Sequence, residues 1–217
     1  MKKLLPIIII IISAAVGLTA IFTANDQAPT ISAADSIIAP SDQTGNIPEK
    51  IIGDPTKATV IVYEYADYGC SHCADWNQVI NELLEKYPDQ LAVVFRGYNL
   101  GFTNGLAVAR AATAAQLQGY WKEYKDLLFA NQAEWYYTKE DELSSLLNDY
   151  FNTASNGAGD LEQFKSDLNS DAVTKRLEFE QSMGSKIHLS GTPTFRIDGK
   201  QIELSKLIDT IEAKINS

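Results

Sequence analysis

The residues with the clearest chemical potential are the two cysteines of the chain, Cys70 and Cys73, which are separated by Ser71 and His72. Thiols at this spacing can form a reversible disulfide or supply two of the four ligands of a zinc site. The sequence offers only two histidines to complete such a zinc site, and His188 is far from the pair. An inert structural disulfide is a further alternative, but closing so short a loop removes little entropy from the unfolded chain. The spacing therefore favours a redox-active dithiol.

The cysteine pair lies between a predicted strand and a predicted helix. Residues 58–64 are β-branched and aromatic, as in a buried strand. Apolar residues then recur at helical spacing, namely Trp76, Val79, Leu83 and Leu84. Cys70 is therefore expected at a helix N-terminus, where unpaired N–H groups and the helix dipole favour the reactive thiolate. His72 can add a donor or a positive charge to the same sulfur, and Cys73 is expected one turn further in and less exposed.

Two motifs together resemble those of the thioredoxin superfamily and, within it, of the DsbA-like thiol:disulfide oxidoreductases. The first is Glu-Tyr-Ala-Asp-Tyr-Gly-Cys-Ser-His-Cys at 64–73, and the second is Gly-Thr-Pro-Thr-Phe at 191–195. The resemblance covers most of the chain after about Pro48. It implies that Cys70 is the nucleophile and Cys73 the resolving thiol, and that catalysis uses no metal or organic cofactor.

The resemblance also implies roles for the residues around the two motifs. Ser71 stands where many family members have proline, whereas His72 is similar to the strongly oxidising members, in which histidine stabilises the reduced thiolate. Glu64 matches an acidic residue that is buried beneath the active site, where desolvation would make it a proton acceptor for the buried thiol. An outward-facing strand glutamate is the alternative. The Thr192–Pro193 bond is expected to be cis and to face the cysteines, where the backbone can pair with an extended substrate, unless Pro193 is an ordinary turn proline.

Other polar and aromatic residues carry weaker expectations. Asp67 is expected to be a loop carboxylate. Arg96 could pair with Glu64, but we expect it to be exposed. Five aromatic residues are expected mainly in the core, with a substrate groove as the alternative, namely Tyr120, Trp121, Trp135, Tyr136 and Tyr137.

The remaining patterns predict an α/β chain with a thioredoxin fold. A helical insertion at about 104–186 separates a β-α-β half from a half made of the cis-proline loop, a β-hairpin and a helix. The predicted elements outside the insertion are an edge strand at 51–55, parallel strands at 58–64 and 91–98 joined by a right-handed crossover helix, a hairpin at 195–203 with an Asp-Gly turn, and a final helix at 204–215.

The N-terminus predicts export. Lys2 and Lys3 precede an apolar stretch from Leu4 to Phe22. Residues 1–24 are therefore a cleaved signal peptide or a retained membrane anchor, followed by a linker at 25–47 and one domain at 48–217. An extracytoplasmic location suits disulfide chemistry, which a reducing cytosol opposes.

Composition and resemblance together define the expected function. The net charge of −10 and the lack of a basic patch argue against nucleic-acid binding. The resemblance implies a monomeric dithiol oxidase that acts on reduced exported proteins and is reoxidised by a quinone-linked, DsbB-like membrane partner. The alternatives are a disulfide reductase or isomerase, and a non-catalytic thioredoxin-like binding module of the envelope.

Overall fold

A five-stranded sheet organises the fold in the computed structural model, which describes residues 35–37 and 47–217. Its strands are β1 (Lys50–Ile52), β2 (Val60–Ala66), β3 (Leu91–Gly97), β4 (Thr194–Ile197) and β5 (Lys200–Ile202). Their spatial order is β1-β3-β2-β4-β5, with β2 parallel to β3 and the other pairs antiparallel. The predicted β-α-β unit, edge strand and hairpin are confirmed.

Eight α-helices surround the sheet within the described part of the chain. They are α1 (Ser71–Lys86), α2 (Gly105–Leu117), α3 (Trp121–Ala130), α4 (Gln132–Tyr137), α5 (Glu140–Ala154), α6 (Leu161–Asp167), α7 (Asp171–Lys186) and α8 (Leu207–Ile215). The six helices from α2 to α7 lie consecutively between β3 and β4, which confirms the helical insertion. The predicted last helix is correct from residue 207, and a 3₁₀ turn (Leu204–Lys206) precedes it.

Alternation along β2 divides its side chains between two sides of the sheet. Val60 and Val62 pack in an apolar cluster with residues of α1 and α8. Tyr63 and Tyr65 pack in another cluster with Met183 of α7. Glu64 therefore faces the side that α1 covers.

The expectation that Arg96 is exposed is wrong. Its side chain is completely buried, and its Nη2 lies 2.7 Å from Glu49 Oε1. Its Nη1 also donates to Tyr65 Oη at 2.9 Å. Arg176 of α7 joins the same group, because its Nη2 lies 2.9 Å from Glu49 Oε2 and its Nε lies 2.8 Å from Glu180 Oε1. Arg96 thus belongs to a buried ion network that links the sheet to the insertion.

The described residues of the predicted linker contact the domain. Asp35 is buried, and its carboxylate accepts hydrogen bonds of 2.5 and 3.0 Å from Arg196 on β4. The Ser36 carbonyl accepts from Arg96 Nη2 at 2.7 Å. The predicted signal or anchor at 1–24 lies outside the described residues. Among the helices that are described, none is long and apolar enough to cross a membrane.

The buried pair of Lys50 and Glu180 yields a first prediction. Lys50 Nζ lies 2.8 Å from Glu180 Oε1, and both side chains are fully buried. The substitution Lys50→Met leaves a buried carboxylate with less compensation, so we expect the free energy of unfolding to fall by about 3 kcal/mol. Urea denaturation at neutral pH measures this change.

The matched control is Lys206→Met, which removes an exposed pair with Glu203. Because water screens surface pairs, this variant should unfold close to the wild-type urea midpoint. Equal destabilisation by both substitutions would contradict the importance of the buried network.

Candidate active site

Cys70 is the N-cap residue of α1 and has extended backbone angles, φ −84° and ψ 120°. Its carbonyl accepts hydrogen bonds from the backbone N–H groups of Cys73 at 3.0 Å and Ala74 at 3.2 Å. Its own N–H donates to the carbonyl of Asp67 at 3.1 Å. The Cys70 side chain therefore sits at the positive end of the helix dipole, where a thiolate is stabilised.

The two sulfur atoms lie in different environments. Both cysteines are free thiols, with Cys70 7% exposed and Cys73 0% exposed. Burial raises the pKa of the Cys73 thiol well above its ordinary value. Cys73 is therefore a protonated thiol at neutral pH, and its reaction needs a group that accepts the proton. No cluster of three or more metal-ligating side chains occurs within residues 35–37 and 47–217.

The proline loop lies directly opposite Cys70. The Thr192–Pro193 peptide bond is cis, as predicted. The thiol of Cys70 donates to the backbone carbonyl of Thr192, with 3.3 Å between sulfur and oxygen. Because β4 begins at Thr194, the loop is held by the sheet on its C-terminal side. The structure therefore brings the two sequence motifs together at one site.

Glu64 is a buried carboxyl group, only 3% exposed, which excludes an outward-facing side chain. Burial raises its pKa to about 7, although the positive charge of Lys125 opposes this effect. Its Oε1 atom has no hydrogen-bond partner among the described residues. Two residues further along the same side of β2, Ala66 packs in one apolar cluster with Cys73. Glu64 thus lies on the side of β2 from which Ala66 contacts the apolar cluster that contains the buried thiol.

The two residues between the cysteines are exposed. His72 Nδ1 lies 3.7 Å from Asp75 Oδ2, and these side chains are 78% and 77% exposed. The predicted contact of His72 with the Cys70 sulfur is not among the hydrogen bonds of the described residues. Ser71 is the first residue of α1 and is exposed as well.

Asp67 is a loop residue, as predicted, but its carboxylate is buried. It accepts hydrogen bonds from the backbone N–H groups of Gly69 at 2.8 Å and Leu100 at 2.5 Å. Burial raises the pKa of Asp67. The contact joins the cysteine loop to the segment that follows β3.

That segment also contributes to an apolar groove beside Cys70, with a volume of about 560 Å³. The groove is lined by Cys70 and Thr192 together with large apolar side chains, namely Leu100, Phe102, Tyr136 and Tyr137. Tyr137 is 80% exposed, whereas Trp121 and Trp135 are buried in the core. Leu100 and Phe102 were not identified from sequence. The sequence signal that could have identified them is the presence of two large apolar residues within a segment rich in turn-forming residues.

Gly69 makes this groove possible. A Cβ atom at Gly69 would lie 2.5 Å from Phe102 Cβ, which is closer than side chains approach. Glycine therefore allows Phe102 to pack directly on the cysteine loop.

Curated relatives match this chain over only part of their own length. The Na(+)/H(+) antiporter NhaA 1 of Mycobacterium sp. (strain KMS) is 30% identical over 175 residues, which are 76% of this chain and 26% of that protein. The antiporter NhaA of Herminiimonas arsenicoxydans is 27% identical over 166 residues, which are 76% of this chain and 25% of that protein. The chain thus spans about a quarter of these relatives, so the names of the whole proteins do not describe it.

Solved structures share the fold over about four fifths of this chain. BdbD from Bacillus subtilis has a TM-score of 0.66 at 20% identity, covering 78% of this chain and 94% of that one. A thioredoxin-like oxidoreductase from Silicibacter pomeroyi has a TM-score of 0.62 at 22% identity, covering 80% and 96%. The alpha-DsbA1 protein of Wolbachia pipientis has a TM-score of 0.63 at 23% identity, covering 77% and 91%. At these identities, the likeness establishes the fold.

The family model described as Thioredoxin matches residues 46–217, well over half of the chain. This match agrees with the sheet order, the helical insertion and the two motifs that meet at Cys70. The chain therefore belongs to the thioredoxin family and has the fold of its DsbA-like thiol:disulfide oxidoreductases.

Proposed function

We propose that the protein is an extracytoplasmic dithiol oxidase that introduces disulfide bonds into reduced exported proteins. The observation that carries this proposal is the position of Cys70 at the N-terminus of α1, 3.3 Å from the Thr192 carbonyl, with Cys73 buried one turn further along the helix. Such a site supports attack on an outer sulfur and resolution by an inner one.

The oxidising half of the cycle starts from a Cys70–Cys73 disulfide. A client thiolate attacks the Cys70 sulfur, a mixed disulfide forms, and the electron pair of the broken bond leaves on Cys73. Because burial disfavours a Cys73 thiolate, this sulfur takes a proton, which protonated Glu64 supplies directly or through one water. A second client thiolate then attacks the client sulfur, and Cys70 leaves as a thiolate. The client loses two electrons, and the enzyme gains them.

Reoxidation reverses these roles. Cys70 attacks a disulfide of the reoxidising partner, and Cys73 then attacks the Cys70 sulfur and closes the enzyme disulfide. In this step ionised Glu64 accepts the Cys73 proton. A carboxyl with a pKa of about 7 provides both forms at neutral pH. By resemblance, the partner is a quinone-linked membrane reoxidase of the DsbB type.

The surroundings of Cys70 suit unfolded clients. The backbone at Thr192 can pair with an extended segment through main-chain hydrogen bonds, which do not depend on side-chain identity. The adjacent apolar groove, with the exposed ring of Tyr137, can hold a hydrophobic side chain near the client cysteine. We infer a client that is reduced, unfolded and extended. No second copy of the chain is needed to complete this site, so a monomer is proposed.

An extracytoplasmic location is proposed from the N-terminal sequence and from the chemistry. The lysine pair and the apolar stretch at 4–22 are typical of an export signal or an anchor. Disulfide bonds form and persist in oxidising compartments, whereas the cytosol keeps thiols reduced, so the proposed reaction suits a site outside the cytoplasm.

Substituting the cysteines separately tests the proposed roles. Cys70→Ser should abolish reoxidation of reduced, denatured ribonuclease, because no outer sulfur remains for the client to attack. Cys73→Ser should instead accumulate a mixed disulfide between Cys70 and glutathione when it is incubated with oxidised glutathione, because the thiol that resolves this adduct during reoxidation is missing. Ribonuclease activity and mass spectrometry of the trapped adduct measure the two outcomes. A Cys70→Ser protein that still oxidises ribonuclease would contradict the role of Cys70, and a wild-type protein that does not oxidise ribonuclease would favour the non-catalytic binding module.

The direction of the reaction is tested by the reduction potential. Because the N-terminus of α1 stabilises the Cys70 thiolate in the reduced form, we expect a potential nearer to about −120 mV than to about −270 mV. Equilibration with glutathione redox buffers and quantification of the two thiols give this value. A potential near the lower figure would identify a reductase.

Glu64→Gln tests the proton acceptor. In the wild-type protein, attack of Cys73 on a Cys70–glutathione mixed disulfide should accelerate as pH rises through about 7, because only ionised Glu64 accepts the proton. The variant should show no such acceleration with pH, and above pH 7 it should react roughly 100-fold more slowly than the wild-type protein. Glutathione release between pH 5 and 9 measures the rate. A variant that keeps the wild-type pH profile would contradict the role.

Measuring the free energy of unfolding of Glu64→Gln at two pH values shows whether the variant is folded. The pKa of Glu64 rises from an ordinary value of 4.5 to about 7 on folding, so the folded state holds the proton more tightly. Stability from this group is therefore full below about pH 4.5 and is lost as pH rises to 7. Glu64→Gln avoids the loss, so its stability relative to wild type should be roughly 3 kcal/mol greater at pH 8 than at pH 4.

A further inference from the structure

Three segments of the chain form most of the apolar groove beside Cys70. They are the cysteine loop at 67–70, the connecting segment at 98–104 between β3 and α2, and the helix α4. Each of them contributes side chains or backbone to the lining of the groove. Because none of the three is a strand of the sheet, the shape of the groove depends on the contacts that hold these segments to one another.

Asp67 joins the cysteine loop to the connecting segment. One oxygen of its buried carboxylate accepts from the Gly69 N–H within the cysteine loop at 2.8 Å, and the other accepts from the Leu100 N–H at 2.5 Å. Two residues after Leu100, the side chain of Phe102 packs against Gly69. The connecting segment is therefore attached to the cysteine loop by one polar and one apolar contact.

Asn104 joins the connecting segment to α4. Its side-chain amide donates to the carbonyl of Trp135 at 2.7 Å and to the carbonyl of Thr138 at 2.9 Å. Carbonyl groups at the C-terminal end of a helix lack partners within the helix, and this amide satisfies two of them. Asn104 has a φ of 59°, in the left-handed region that asparagine adopts more readily than most residues.

Gln132 joins α4 to the cysteine loop. Its side-chain amide donates to the carbonyl of Tyr68 at 2.7 Å. The three segments are therefore linked in a ring, with one polar side chain at each junction, namely Asp67, Asn104 and Gln132. At every junction the bond runs from a side chain to a backbone atom, so it fixes the course of the chain around the groove.

We propose that Asp67, Asn104 and Gln132 are positioning residues that keep the client groove formed in the free protein. The inference rests on the proposed function, because it specifies how the groove of that function is held. Ordering a flexible segment on binding costs conformational entropy and weakens affinity, whereas a preformed surface avoids this cost. The ring therefore sets the affinity for clients whose side chains enter the groove, and thiol exchange with small thiols does not depend on it.

Asn104→Gly tests the ring without altering the surface that a client would touch, because the described lining of the groove does not include Asn104. Glycine keeps the left-handed backbone conformation and removes only the side-chain bonds to α4. The measurement is stopped-flow reduction of the Cys70–Cys73 disulfide by two dithiol peptides, which carry either phenylalanine or alanine next to the first cysteine.

For the phenylalanine peptide, the half-saturating concentration should be roughly tenfold higher in Asn104→Gly than in the wild-type protein, with the limiting rate within about twofold. The preference of the wild-type protein for phenylalanine over alanine should therefore largely disappear. Reduction by dithiothreitol, which has no side chain to enter the groove, should keep its wild-type rate. A general loss of structure would instead slow all three reactions.

A second junction and two matched controls complete the set of variants. Asp67→Asn should weaken binding of the phenylalanine peptide in the same way, since an amide cannot accept with both of its polar atoms, and it gives the comparison where Asn104→Gly does not fold. Asn156→Gly replaces another asparagine of positive φ, 49°, and Asp54→Asn replaces a carboxylate that accepts from the exposed Thr56 N–H at 2.9 Å. Both controls should keep the wild-type preference.

Hydrogen exchange provides a measurement that does not depend on activity. The Leu100 N–H donates to Asp67, so Asp67→Asn should accelerate its exchange directly. Asn104→Gly leaves that bond in place, but opening the ring should still accelerate exchange at Leu100 by roughly fivefold, because the connecting segment is then held at one end only. Residue-resolved exchange of the reduced full-length protein measures both effects.

A wild-type preference for phenylalanine that persists in both Asn104→Gly and Asp67→Asn would overturn the proposal, as would an equal slowing of the peptides and dithiothreitol in these variants. Failure of the proposed function is detected separately, because the disulfide of the wild-type protein would then react with neither peptide. Failure of the ring appears only in the variants, so the two results are distinguishable.

Discussion

The candidate site depends on the antiparallel pairing of β2 with β4. Tyr65 pairs with Thr194, so the cysteine loop that follows β2 and the proline loop that precedes β4 emerge at the same end of the sheet. This register is what places the Cys70 sulfur 3.3 Å from the Thr192 carbonyl, across a separation of 122 positions in sequence. Closing so long a loop costs conformational entropy, which the apolar clusters on the two sides of the sheet offset.

Polar contacts then fix the insertion relative to the sheet. Apolar packing holds helices together without specifying their register, whereas hydrogen-bonded ion pairs require one geometry. Glu180 of α7 accepts from the Gly97 N–H at 2.9 Å and pairs with Lys50 of β1 at 2.8 Å. On the other side, Lys125 of α3 bonds to Asn77 of α1. The insertion is therefore attached both to the sheet and to the helix that begins at Cys70.

The sequence was sufficient for the elements with strong local signals and insufficient where distant partners decide. The strands, the hairpin turn and the cysteine motif each follow from a short pattern, and the two motifs resemble one family. Arg96 was predicted wrongly because Glu49 and Arg176, its partners in the buried network, come from outside its own strand. The burial of Lys125 was missed because a lysine on an amphipathic helix normally faces solvent. The position of Phe102 beside Gly69 could not be predicted either, because this contact joins two loops that are separated in sequence.

Glu64 illustrates how the proposed function opposes stability. An apolar residue at this position of β2 would suit the core better, because ionising a buried carboxyl weakens the folded state. In the proposed cycle, however, the group must give a proton to Cys73 in one half and accept it in the other. Full solvation would keep it ionised, and burial without Lys125 would favour the protonated form. A pKa of about 7 keeps both forms accessible in that cycle, so the charged residue that interrupts the apolar pattern of the strand is the one on which the proposed chemistry depends.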